Sequence, residues 1–250
     1  MLSKLNIVDL WRENSPPRPC SYLPDQIASL EYRVVFDLSA AVYEELLCRG
    51  WRKHGLNLFR PACPTCAECR SLRVDIGKFR PSRSQRRILG RNADVSLKVQ
   101  EPTVSADHIR LYNDFHSDMQ QRRGWPHSDI DDDEYYQSFL VGKWSFAREF
   151  LYYRDNRLIG VGLVDLVPSA LSSVYFFHDP DWRPLGPGTF TLLQEIEFAR
   201  LNDRRWLYLG YWINGCGSMS YKANFRPNQM LADYVHDNDE PEWQLPAENC

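Results

Sequence analysis

The sequence predicts an α+β fold in which helices flank a mixed β-sheet, with a smaller basic, cysteine-containing α+β region at the N-terminal end. Helical spacing of apolar residues occurs in several segments, and the alternation typical of strands occurs in others. The two kinds of segment follow one another without internal repeats. A length of 250 residues with 43% hydrophobic content suits one large or two modest domains. We predict a boundary between residues 1–94 and 95–250.

The first part is predicted to contain three strands and two helices after an irregular arm. Four prolines between residues 13 and 25 favour the arm. Leu38, Val42 and Leu46 have the spacing of a helix that begins at Asp37 and stops at Gly50. Alternation of β-forming residues indicates the strands, and Ser82 is a suitable cap for the second helix. The predicted strands are 30–36, 56–59 and 71–76, and the second helix is 84–92.

The second part is predicted to mix helices and strands from Val95 onward. Acidic residues lie in the first turn of its second helix, where the helix dipole favours them, and Asp155-Asn156 marks a hairpin turn. The predicted helices are 105–123, 131–141, 189–204 and 218–225, and the predicted strands are 149–154, 158–167, 172–178, 206–213 and 231–236. No Lys or Arg follows Arg226, and we predict an acidic, partly disordered tail at 237–250.

Positive charge is concentrated in one stretch of a chain whose net charge is −3. Twelve Lys and Arg residues lie between Arg49 and Arg91, against only two acids, Glu68 and Asp75. Lys and Arg neutralise phosphates with release of counterions, so this stretch predicts a polyanion partner, with nucleic acid as the first candidate. On the helix 84–92 the arginines form a stripe without acids at four-residue spacing, which favours phosphate binding over a merely solvated face. The predicted phosphate-binding residues are Arg80, Arg83, Arg86, Arg87 and Arg91.

Cysteines with two-residue spacing lie inside this basic stretch. Cys63, Cys66 and Cys69 can direct neighbouring thiolates to one ion, and Cys20 is the candidate for a fourth ligand. A zinc ion and an iron–sulfur cluster both suit thiolate ligands, and free thiols packed at a turn are the alternative. The sequence leaves these three interpretations open.

A glycine-containing loop precedes the predicted helix 189–204. Arg183-Pro-Leu-Gly186-Pro-Gly188 fits the R-x-x-G-x-G pattern with which acyltransferases of the GNAT class hold a pyrophosphate on backbone N–H groups at a helix N-terminus. Its position between a strand and a helix favours a GNAT-like mixed sheet. Pro187 removes one N–H donor from such a cradle, and a plain Gly/Pro turn is the alternative.

Several residues of the second part are candidates for a pocket. Asp165 interrupts an apolar strand, and an acid in that position is either paired structurally or functional. Tyr175 and Tyr211 lie on strands, where they either pack in the core or face a pocket. No apolar run reaches membrane-spanning length and no signal peptide is visible, so we expect a cytoplasmic protein.

Six segments form a distinctive series of motifs that covers about residues 20–227. They are Cys20-Ser-Tyr-Leu-Pro24, Phe59-Arg-Pro-Ala-Cys63-Pro-Thr-Cys66, Pro81-Ser-Arg-Ser-Gln-Arg-Arg87, Val174-Tyr-Phe-Phe-His-Asp-Pro180, Tyr208-Leu-Gly-Tyr-Trp-Ile213 and Tyr221-Lys-Ala-Asn-Phe-Arg-Pro227. In this order they resemble the arginyl-tRNA–protein transferase family, and most of all its bacterial branch, the aspartate/glutamate leucyltransferases. The eukaryotic branch has a second cysteine where this chain has Leu23. This difference favours the bacterial branch and weakens the transfer of any metal or iron–sulfur site to this chain.

The resemblance implies a GNAT-like transferase that takes an aminoacyl group from charged tRNA. It would pass this group to the α-amino group of a protein that begins with Asp or Glu, and so mark that protein for degradation in the N-end rule pathway. In the bacterial branch the donor is Leu-tRNA. The implied partners are charged tRNA and protein substrates, with no membrane and no DNA, and the reaction requires no cofactor.

In the predicted mechanism the neutral α-amine of the acceptor attacks the ester carbonyl of aminoacyl-tRNA, and the tRNA 3′ oxygen leaves. Positioning of this activated ester can supply most of the acceleration. Asp165 is the first candidate for a base, with Tyr175 and Tyr211 as polar walls. A cation must bind the carboxylate of the acceptor side chain. The candidates for that cation are Lys222, Arg226, Arg122 and Arg123, and Gly186 and Gly188 join the arginines as predicted tRNA-binding residues.

Three other functions fit parts of the sequence. The same reaction with Arg-tRNA as donor would keep the fold and the mechanism. A coenzyme-A-dependent GNAT N-acetyltransferase is favoured by Gly186 and Gly188 and disfavoured by Pro187. A non-catalytic metal-thiolate nucleic-acid-binding module would use the basic stretch and the cysteines alone.

Overall fold

The computed structural model describes residues 7–246. Its strands form an eight-stranded mixed sheet, a four-stranded antiparallel sheet and a two-stranded pair. The strands are β1 (Asp9–Asn14), β2 (Arg18–Pro19), β3 (Ile27–Ala28), β4 (Leu30–Val35), β5 (Arg52–His54), β6 (Asn57–Pro61), β7 (Arg70–Asp75), β8 (Ser96–Gln100), β9 (Ala147–Arg154), β10 (Arg157–Leu166), β11 (Ala170–His178), β12 (Trp206–Trp212), β13 (Asn228–Leu231) and β14 (Trp243–Gln244). The helices are α1 (Ala40–Cys48), α2 (Arg83–Arg91), α3 (Ala106–Arg123), α4 (Asp132–Tyr135) and α5 (Pro187–Leu201), with a π-helical turn at Tyr136–Leu140 and 3-10 turns at Pro180–Leu185 and Ser220–Asn224.

The eight-stranded sheet joins the two predicted parts of the chain. Its order is β14-β13-β7-β12-β11-β10-β9-β8, and β11 and β12 run parallel. β7 belongs to the predicted N-terminal part, yet it lies between β12 and β13 of the second part. The four-stranded sheet, in the order β1-β4-β6-β5, is built from the N-terminal part alone. Both parts therefore share one sheet, and the predicted boundary at residues 94 and 95 stays a prediction.

Helices cover both faces of the large sheet. α5 packs on β11, β12 and α2, whereas α3 packs on β10 and β11. Alternation along β10 separates the two faces, because Leu163 packs in the cluster with α3 and Val164 in the cluster with α5. This arrangement confirms the predicted α+β, GNAT-like fold. Within residues 7–246, none of the helices has the length and apolar character needed to cross a membrane.

The parallel strands β11 and β12 stay paired for only a short distance. Residues 170–172 pair with residues 206–208, after which β11 continues to His178 and β12 to Trp212. Beyond this point β11 remains paired with β10, and β12 with β7. The sheet therefore opens between Ser173 of β11 and Gly210 of β12, and we call this gap the strand opening. A gap at the carboxyl ends of parallel strands is a common position for ligand binding.

Local sequence signals explain where several elements begin and turn. Ser82 and Gln85 form a capping box at the start of α2, which confirms the predicted cap. Asp155 and Asn156 both have positive φ, as a two-residue hairpin turn between β9 and β10 requires. α1 begins at Ala40 rather than at Asp37, because the hydroxyl of Ser39 accepts a hydrogen bond from the Val42 N–H and caps the helix there.

Several segments differ from the predicted pattern, including β5 and β8, which were not predicted. The predicted strand 231–236 lies at Asn228–Leu231 instead. The predicted helix 131–141 changes from an α-helix to a π-helical turn at Tyr136. The predicted irregular arm begins inside β1, whose side chains are all exposed, so that no alternation of apolar residues marks this strand.

The acidic tail is part of the fold as far as residue 246. Asp237 binds Arg33 at 3.0 Å and lies 3.5 Å from Arg12 Nη1. Trp243 begins β14, which pairs with β13, and its indole Nε1 donates to the carbonyl oxygen of Cys48 at 3.1 Å. These contacts replace the disorder predicted for residues 237–246, and residues 247–250 lie outside the described residues.

Gly210→Ala should destabilise the protein. Gly210 has a φ of +74°, which L side chains rarely adopt, and a Cβ there would lie 3.6 Å from the guanidinium of Arg52. We expect the free energy of unfolding to fall by about 1 kcal/mol, seen as a Tm decrease of about 2–4 °C. Gly188→Ala is the matched control, since a Cβ there meets no atom within 4 Å. Equal thermal stability of the two variants would contradict this explanation.

Candidate active site

Arg52 fills the inner end of the strand opening. It comes from β5 of the small sheet, is buried, and its Nη2 donates to the carbonyl oxygen of Ser173 on β11. Its guanidinium also lies beside Gly210 of β12. Its Nη1 has no hydrogen-bond partner within residues 7–246. Because buried N–H groups are normally paired, this one is a candidate donor to a substrate oxygen.

Glu195 reaches the same point from the other face of the sheet. It lies on α5, is buried, and its Oε1 accepts a hydrogen bond of 3.3 Å from the Ser173 hydroxyl. Burial raises the pKa of Glu195 to about 8, against the opposing effects of the nearby Ser173 and Thr191 hydroxyls and of the Arg52 charge. Its Oε2 has no hydrogen-bond partner in the described part of the chain. The strand opening therefore holds a buried carboxyl group whose pKa is raised well above that of an ordinary glutamate.

Lys222 lies beside the strand opening, on the 3-10 turn that follows β12. Its Nζ donates to the carbonyl oxygen of Tyr211 at 2.9 Å, and its side chain is half-buried. Burial and the nearby positive charge of Arg52 lower the pKa of Lys222 to about 8. An ammonium group has three N–H donors, so Lys222 can bind Tyr211 and a carboxylate together. This predicted acceptor-binding residue is therefore placed at the opening.

Helix α2 connects the two segments that leave the strand opening. Near its N-terminal end, Gln85 Nε2 donates to the carbonyl oxygen of Asn224, on the turn that carries Lys222, at 3.3 Å. Just past its C-terminal end, Asn92 Nδ2 donates to the carbonyl oxygen of Leu185, on the loop that follows β11, at 3.0 Å. α2 therefore bridges the two segments that follow β11 and β12.

The predicted phosphate-binding arginines are exposed on α2 and just before it. No ion pair within residues 7–246 involves them, so their charge is not neutralised by a neighbouring carboxylate. We call this group the basic surface. It consists of Arg80, Arg83, Arg86, Arg87 and Arg91.

The remaining predicted acceptor-binding residues fall on two faces of the molecule. Arg226 is exposed four residues after Lys222, and its Nε donates to the carbonyl oxygen of Ala223 at 3.2 Å. Arg122 and Arg123 are exposed at the C-terminal end of α3, on the face of the sheet opposite to α5. The structure therefore places Arg226 with Lys222, and Arg122 and Arg123 on the other face.

The loop from Arg183 to Gly188 has the predicted position between a strand and a helix, but several of its groups already have partners. Arg183 is paired with Asp118 of α3. The N–H of Gly186 donates to the carbonyl oxygen of Arg183 at 3.0 Å, and Pro187 has no N–H. A pyrophosphate cradle at this loop therefore lacks two backbone donors, which disfavours coenzyme A, while the space around Gly188 is open.

Part of the basic stretch is structural. Arg49 pairs with Glu45 at 2.9 Å, and Arg60 pairs with Glu31 at 2.7 Å while it stacks on Trp51 at 4.5 Å. These acidic partners lie outside the stretch in sequence. The local excess of positive charge therefore overstates the surface that is available to a polyanion.

Asp165 is buried and paired with Lys53. Its Oδ1 lies 3.3 Å from Lys53 Nζ, and both side chains have almost no exposed area. Burial raises the pKa of Asp165, against the opposing charges of Lys53 and Arg52. Lys53 comes from β5, so this pair lies on the face of the sheet opposite to Glu195. Of the two roles considered for Asp165, this pairing fits the structural one. Its role as a base stays a prediction.

The hydroxyls of the two predicted wall tyrosines have partners inside the protein. The hydroxyl of Tyr175 lies 2.8 Å from His116 Nε2, on the α3 face of the sheet. The hydroxyl of Tyr211 lies 3.2 Å from the carbonyl oxygen of Gly50 and 3.1 Å from that of Phe59. Burial raises the pKa of both tyrosines. Tyr211 therefore joins β12 to the small sheet next to the strand opening, whereas Tyr175 packs on the other side of β11.

The thiols of the cysteine run lie near one another and near a thiol that was not predicted to join them. The pKa of Cys69 is raised to about 12, first by burial and then by the charges of the neighbouring thiols, which are those of Cys63, Cys20, Cys66 and Cys216. Among the residues that the structure describes, no group of three or more His, Cys, Asp or Glu residues could hold a metal ion. The thiols as placed therefore do not fit a zinc or iron–sulfur site, and ligation by Cys20, Cys63, Cys66 and Cys69 stays a prediction.

Two residues at the strand opening are absent from the sequence-based predictions. Arg52 is one of twelve cations in its stretch, and nothing local distinguishes it. Glu195 did carry a signal, because it lies on the apolar face of its helix between Leu192 and Ala199. An acid on a buried helix face, like Asp165 inside an apolar strand, is either paired structurally or functional.

The large sheet, its strand opening and its flanking helices define a GNAT-like fold. Two family models match the chain: the arginine-tRNA-protein transferase N terminus at residues 18–87 and its C terminus at residues 107–232. The aspartate/glutamate leucyltransferase of Campylobacter jejuni is 35% identical over 85% of this chain and 89% of that protein. The enzyme of Helicobacter hepaticus is 32% identical over 96% of this chain and 99% of that protein. The enzyme of Saccharophagus degradans is 37% identical over 92% of this chain and 96% of that protein. The chain therefore belongs to the arginine-tRNA-protein transferase family, among its aspartate/glutamate leucyltransferases, and is an aminoacyltransferase.

The crystal structure of FemX has a similar fold. The TM-score is 0.51, over 91% of this chain and 88% of that chain, at 10% sequence identity. At this identity the likeness concerns the arrangement of the sheet and its helices alone.

Asp165→Ala should strongly destabilise the protein, because it leaves the Lys53 ammonium buried without a counter-charge. We expect a loss of about 3–5 kcal/mol in the free energy of unfolding. The double variant Lys53→Met/Asp165→Leu removes both charges, so it should be considerably more stable than Asp165→Ala. Denaturant unfolding of both variants measures the difference. Wild-type stability of Asp165→Ala would contradict the structural role of this pair.

Proposed function

We propose that this protein transfers leucine from Leu-tRNA to the α-amino group of proteins that begin with Asp or Glu, at the strand opening, in the cytoplasm. The observation that carries the proposal is the arrangement at that opening. The basic surface lies on and just before α2, which contacts both segments that leave the opening, and Arg52 and Glu195 lie at its inner end. A polyanionic donor such as tRNA requires a basic surface, and acyl transfer benefits from a buried cation and a carboxyl group beside the reacting atoms.

The basic surface would hold the acceptor arm of the tRNA. Its arginines are exposed and lack acidic partners among the described residues, so they are available to phosphates. α2 contacts both segments that border the strand opening, through Gln85 and Asn92. A tRNA arm on α2 would therefore bring its 3′ end to the mouth of the opening, next to the open space at Gly188.

Lys222 would bind the side-chain carboxylate of the acceptor's first residue, with Arg226 beside it. Lys222 lies at the edge of the strand opening, where its ammonium already donates to Tyr211. An acidic side chain held there would place the adjacent α-amine close to the inner end of the opening. Neutral Asn and Gln side chains would lack the charge-assisted bond, which explains a preference for Asp and Glu.

The donor assignment rests on the relatives, whose names specify a leucyltransferase and whose length this chain nearly spans. The same geometry would serve Arg-tRNA, so the donor must be measured. A coenzyme-A-dependent reaction is disfavoured by the missing backbone donors at Gly186 and Pro187. A purely nucleic-acid-binding role leaves the partnerless groups of Arg52 and Glu195 without a purpose.

A transfer assay tests the proposal. Labelled Leu-tRNA and Arg-tRNA are offered in parallel to peptides that begin with Asp, Glu, Asn or Ala. We expect label to move from Leu-tRNA to the Asp and Glu peptides only. Transfer from Arg-tRNA instead would overturn the donor assignment, and an absence of transfer from both donors would overturn the proposed function.

Arg83→Ala/Arg87→Ala should weaken tRNA binding, because each arginine would contact phosphate from the exposed face of α2. We expect the slope of log K against log salt concentration to decrease by about 2 in magnitude. Arg110→Ala/Arg200→Ala is the matched control, since it removes the same charge from two arginines at the surface outside the basic surface group. Binding titrations at several salt concentrations measure both. An unchanged slope in Arg83→Ala/Arg87→Ala would remove α2 from the tRNA site.

The preference for an acidic first residue should weaken at alkaline pH. Lys222 loses its charge as pH rises through about 8, so its bond to the acceptor carboxylate is full below that pH and is lost above it. We expect the affinity ratio of Asp to Asn peptides to fall about tenfold between pH 7 and pH 9.

The Asn peptide is the internal control, because its α-amine titrates without a side-chain carboxylate. In Lys222→Arg the cation stays charged over this range, so the ratio should stay nearly constant with pH. A ratio independent of pH in the wild-type protein would exclude Lys222 as the acceptor-binding cation.

A further inference from the structure

Two buried polar groups meet at Ser173, where β11 parts from β12. Arg52 donates to the Ser173 carbonyl oxygen from the small-sheet side. The Ser173 hydroxyl donates to Glu195 from the α5 side. Arg52 Nη1 and Glu195 Oε2 are both buried, and neither has a hydrogen-bond partner within residues 7–246. Eleven other buried side-chain atoms of the described residues also lack a partner, and the feature that sets these two apart is that both residues bind Ser173.

The alternative explanation, that these groups only stabilise the fold, does not account for both free atoms. A structural ion pair would direct the guanidinium and the carboxylate at each other, as Arg60 and Glu31 do at 2.7 Å. Arg52 and Glu195 instead each bind the same residue of β11 and keep one polar atom unused. This is the arrangement expected when a donor and an acceptor are held apart for a third group.

The other titratable groups near the strand opening lie elsewhere or have partners. Asp165 is paired with Lys53 through Oδ1 on the face opposite to Glu195, although its Oδ2 has no hydrogen-bond partner among the described residues. The Tyr211 hydroxyl contacts the carbonyl oxygens of Gly50 and Phe59. Lys222 donates to the Tyr211 carbonyl oxygen and lies at the outer edge. Burial, and after it the nearby charge of Glu195, raises the pKa of Tyr221, which lies on the same turn as Lys222. Glu195 is therefore the carboxyl group that the opening offers to a substrate.

We propose that Arg52 and Glu195 form the acyl-transfer centre, an inference that rests on the proposed function. Glu195 Oε2 accepts a proton from the acceptor's α-ammonium, and Arg52 Nη1 donates to the ester carbonyl oxygen as negative charge develops on it. The freed amine forms the N–C bond, and the ester C–O bond breaks. The second nitrogen proton passes to the departing 3′ oxygen, so the proton held by Glu195 is the one released to solvent at the end of the cycle.

The chemistry of the two groups suits these tasks. An α-amino group has an unperturbed pKa of about 8, and burial raises the pKa of Glu195 to about 8. Proton transfer between groups of matched pKa has little free-energy cost in either direction. Arg52 is buried, so its charge acts on the oxyanion with little screening by water.

Glu195→Gln separates a role in proton transfer from a structural one. Gln keeps the size of the side chain and its hydrogen bond with Ser173, but it cannot accept the proton. We expect transfer to an Asp peptide from Leu-tRNA at pH 7 to slow by about a hundredfold or more. Glu197→Gln, on the same helix but exposed, is the matched control and should stay within about twofold of the wild type.

A second nucleophile distinguishes the outcomes. Hydroxylamine is already unprotonated at neutral pH and needs no base to free its nitrogen. After the uncatalysed reaction is subtracted, Glu195→Gln should therefore transfer leucine to hydroxylamine at nearly the wild-type rate. Arg52→Lys, which loses the guanidinium fork, should be slow with both nucleophiles, by about a hundredfold, because an oxyanion forms in either case.

Equal slowing of Glu195→Gln with both nucleophiles, or wild-type rates with the peptide, would overturn the proton-transfer role. Wild-type rates of Arg52→Lys would overturn the oxyanion role. Thermal melts accompany each variant, and Glu195→Asp replaces Glu195→Gln if the latter does not fold. Absence of leucine transfer by the wild-type protein would instead overturn the proposed function, so the two failures are distinguishable.

Discussion

The structure depends on the early separation of two parallel strands. β11 and β12 pair over residues 170–172 and 206–208 and then diverge, each held by its outer neighbour. An open gap in a sheet leaves backbone groups without ladder partners, which is costly unless other groups bind them. Arg52 meets this requirement by donating to the carbonyl oxygen of Ser173, and the positive φ of Gly210 shapes the other strand at the same level. The gap that a GNAT-like sheet creates is thus maintained by one buried cation.

That cation is supplied by the N-terminal part of the chain, from β5 of the four-stranded sheet. β5 begins with Arg52 directly after Trp51, a fully buried ring. The guanidinium groups of Arg33 and Arg60 lie 5.0 and 4.5 Å from the centre of that ring. Cation–π contacts of this kind contribute about 0.5–2 kcal/mol each, more when they are desolvated. Arg60, one of the residues that raise the local charge, therefore also helps to fix the strand that carries Arg52, and part of the basic stretch is an internal scaffold.

The fold was largely predictable, because its signals are local. Period-two alternation marked β10 and β11, the Ser82 cap marked α2, and the helical spacing of apolar residues marked α3 and α5. β1 gave no such signal, since every side chain on it is exposed. The basic surface was also predictable, because exposed arginines at four-residue spacing need no tertiary knowledge.

The inner end of the candidate site was not predictable in the same way. Arg52 and Glu195 lie 143 positions apart in the chain and meet only because β11 separates from β12. Asp165 differs from Arg52 because the sequence did mark it as unusual, as an acid inside an apolar strand. Its partner Lys53, however, lies on a different sheet and could not be inferred from the local pattern. Local patterns can identify an unusual residue, whereas its partner depends on topology.

A structure of the complex with a tRNA minihelix that ends in a 3′-leucylamido analogue, whose amide replaces the labile ester, tests the central claim most directly. The account predicts the leucyl carbonyl at the strand opening, within hydrogen-bond distance of Arg52 Nη1, and the helical arm along α2. A leucyl group bound instead in the cleft beside Asp165, which His54, Phe139 and Val174 also line, would contradict it. In that case the strand opening would be a structural consequence of the fold and not the place where the bond is made.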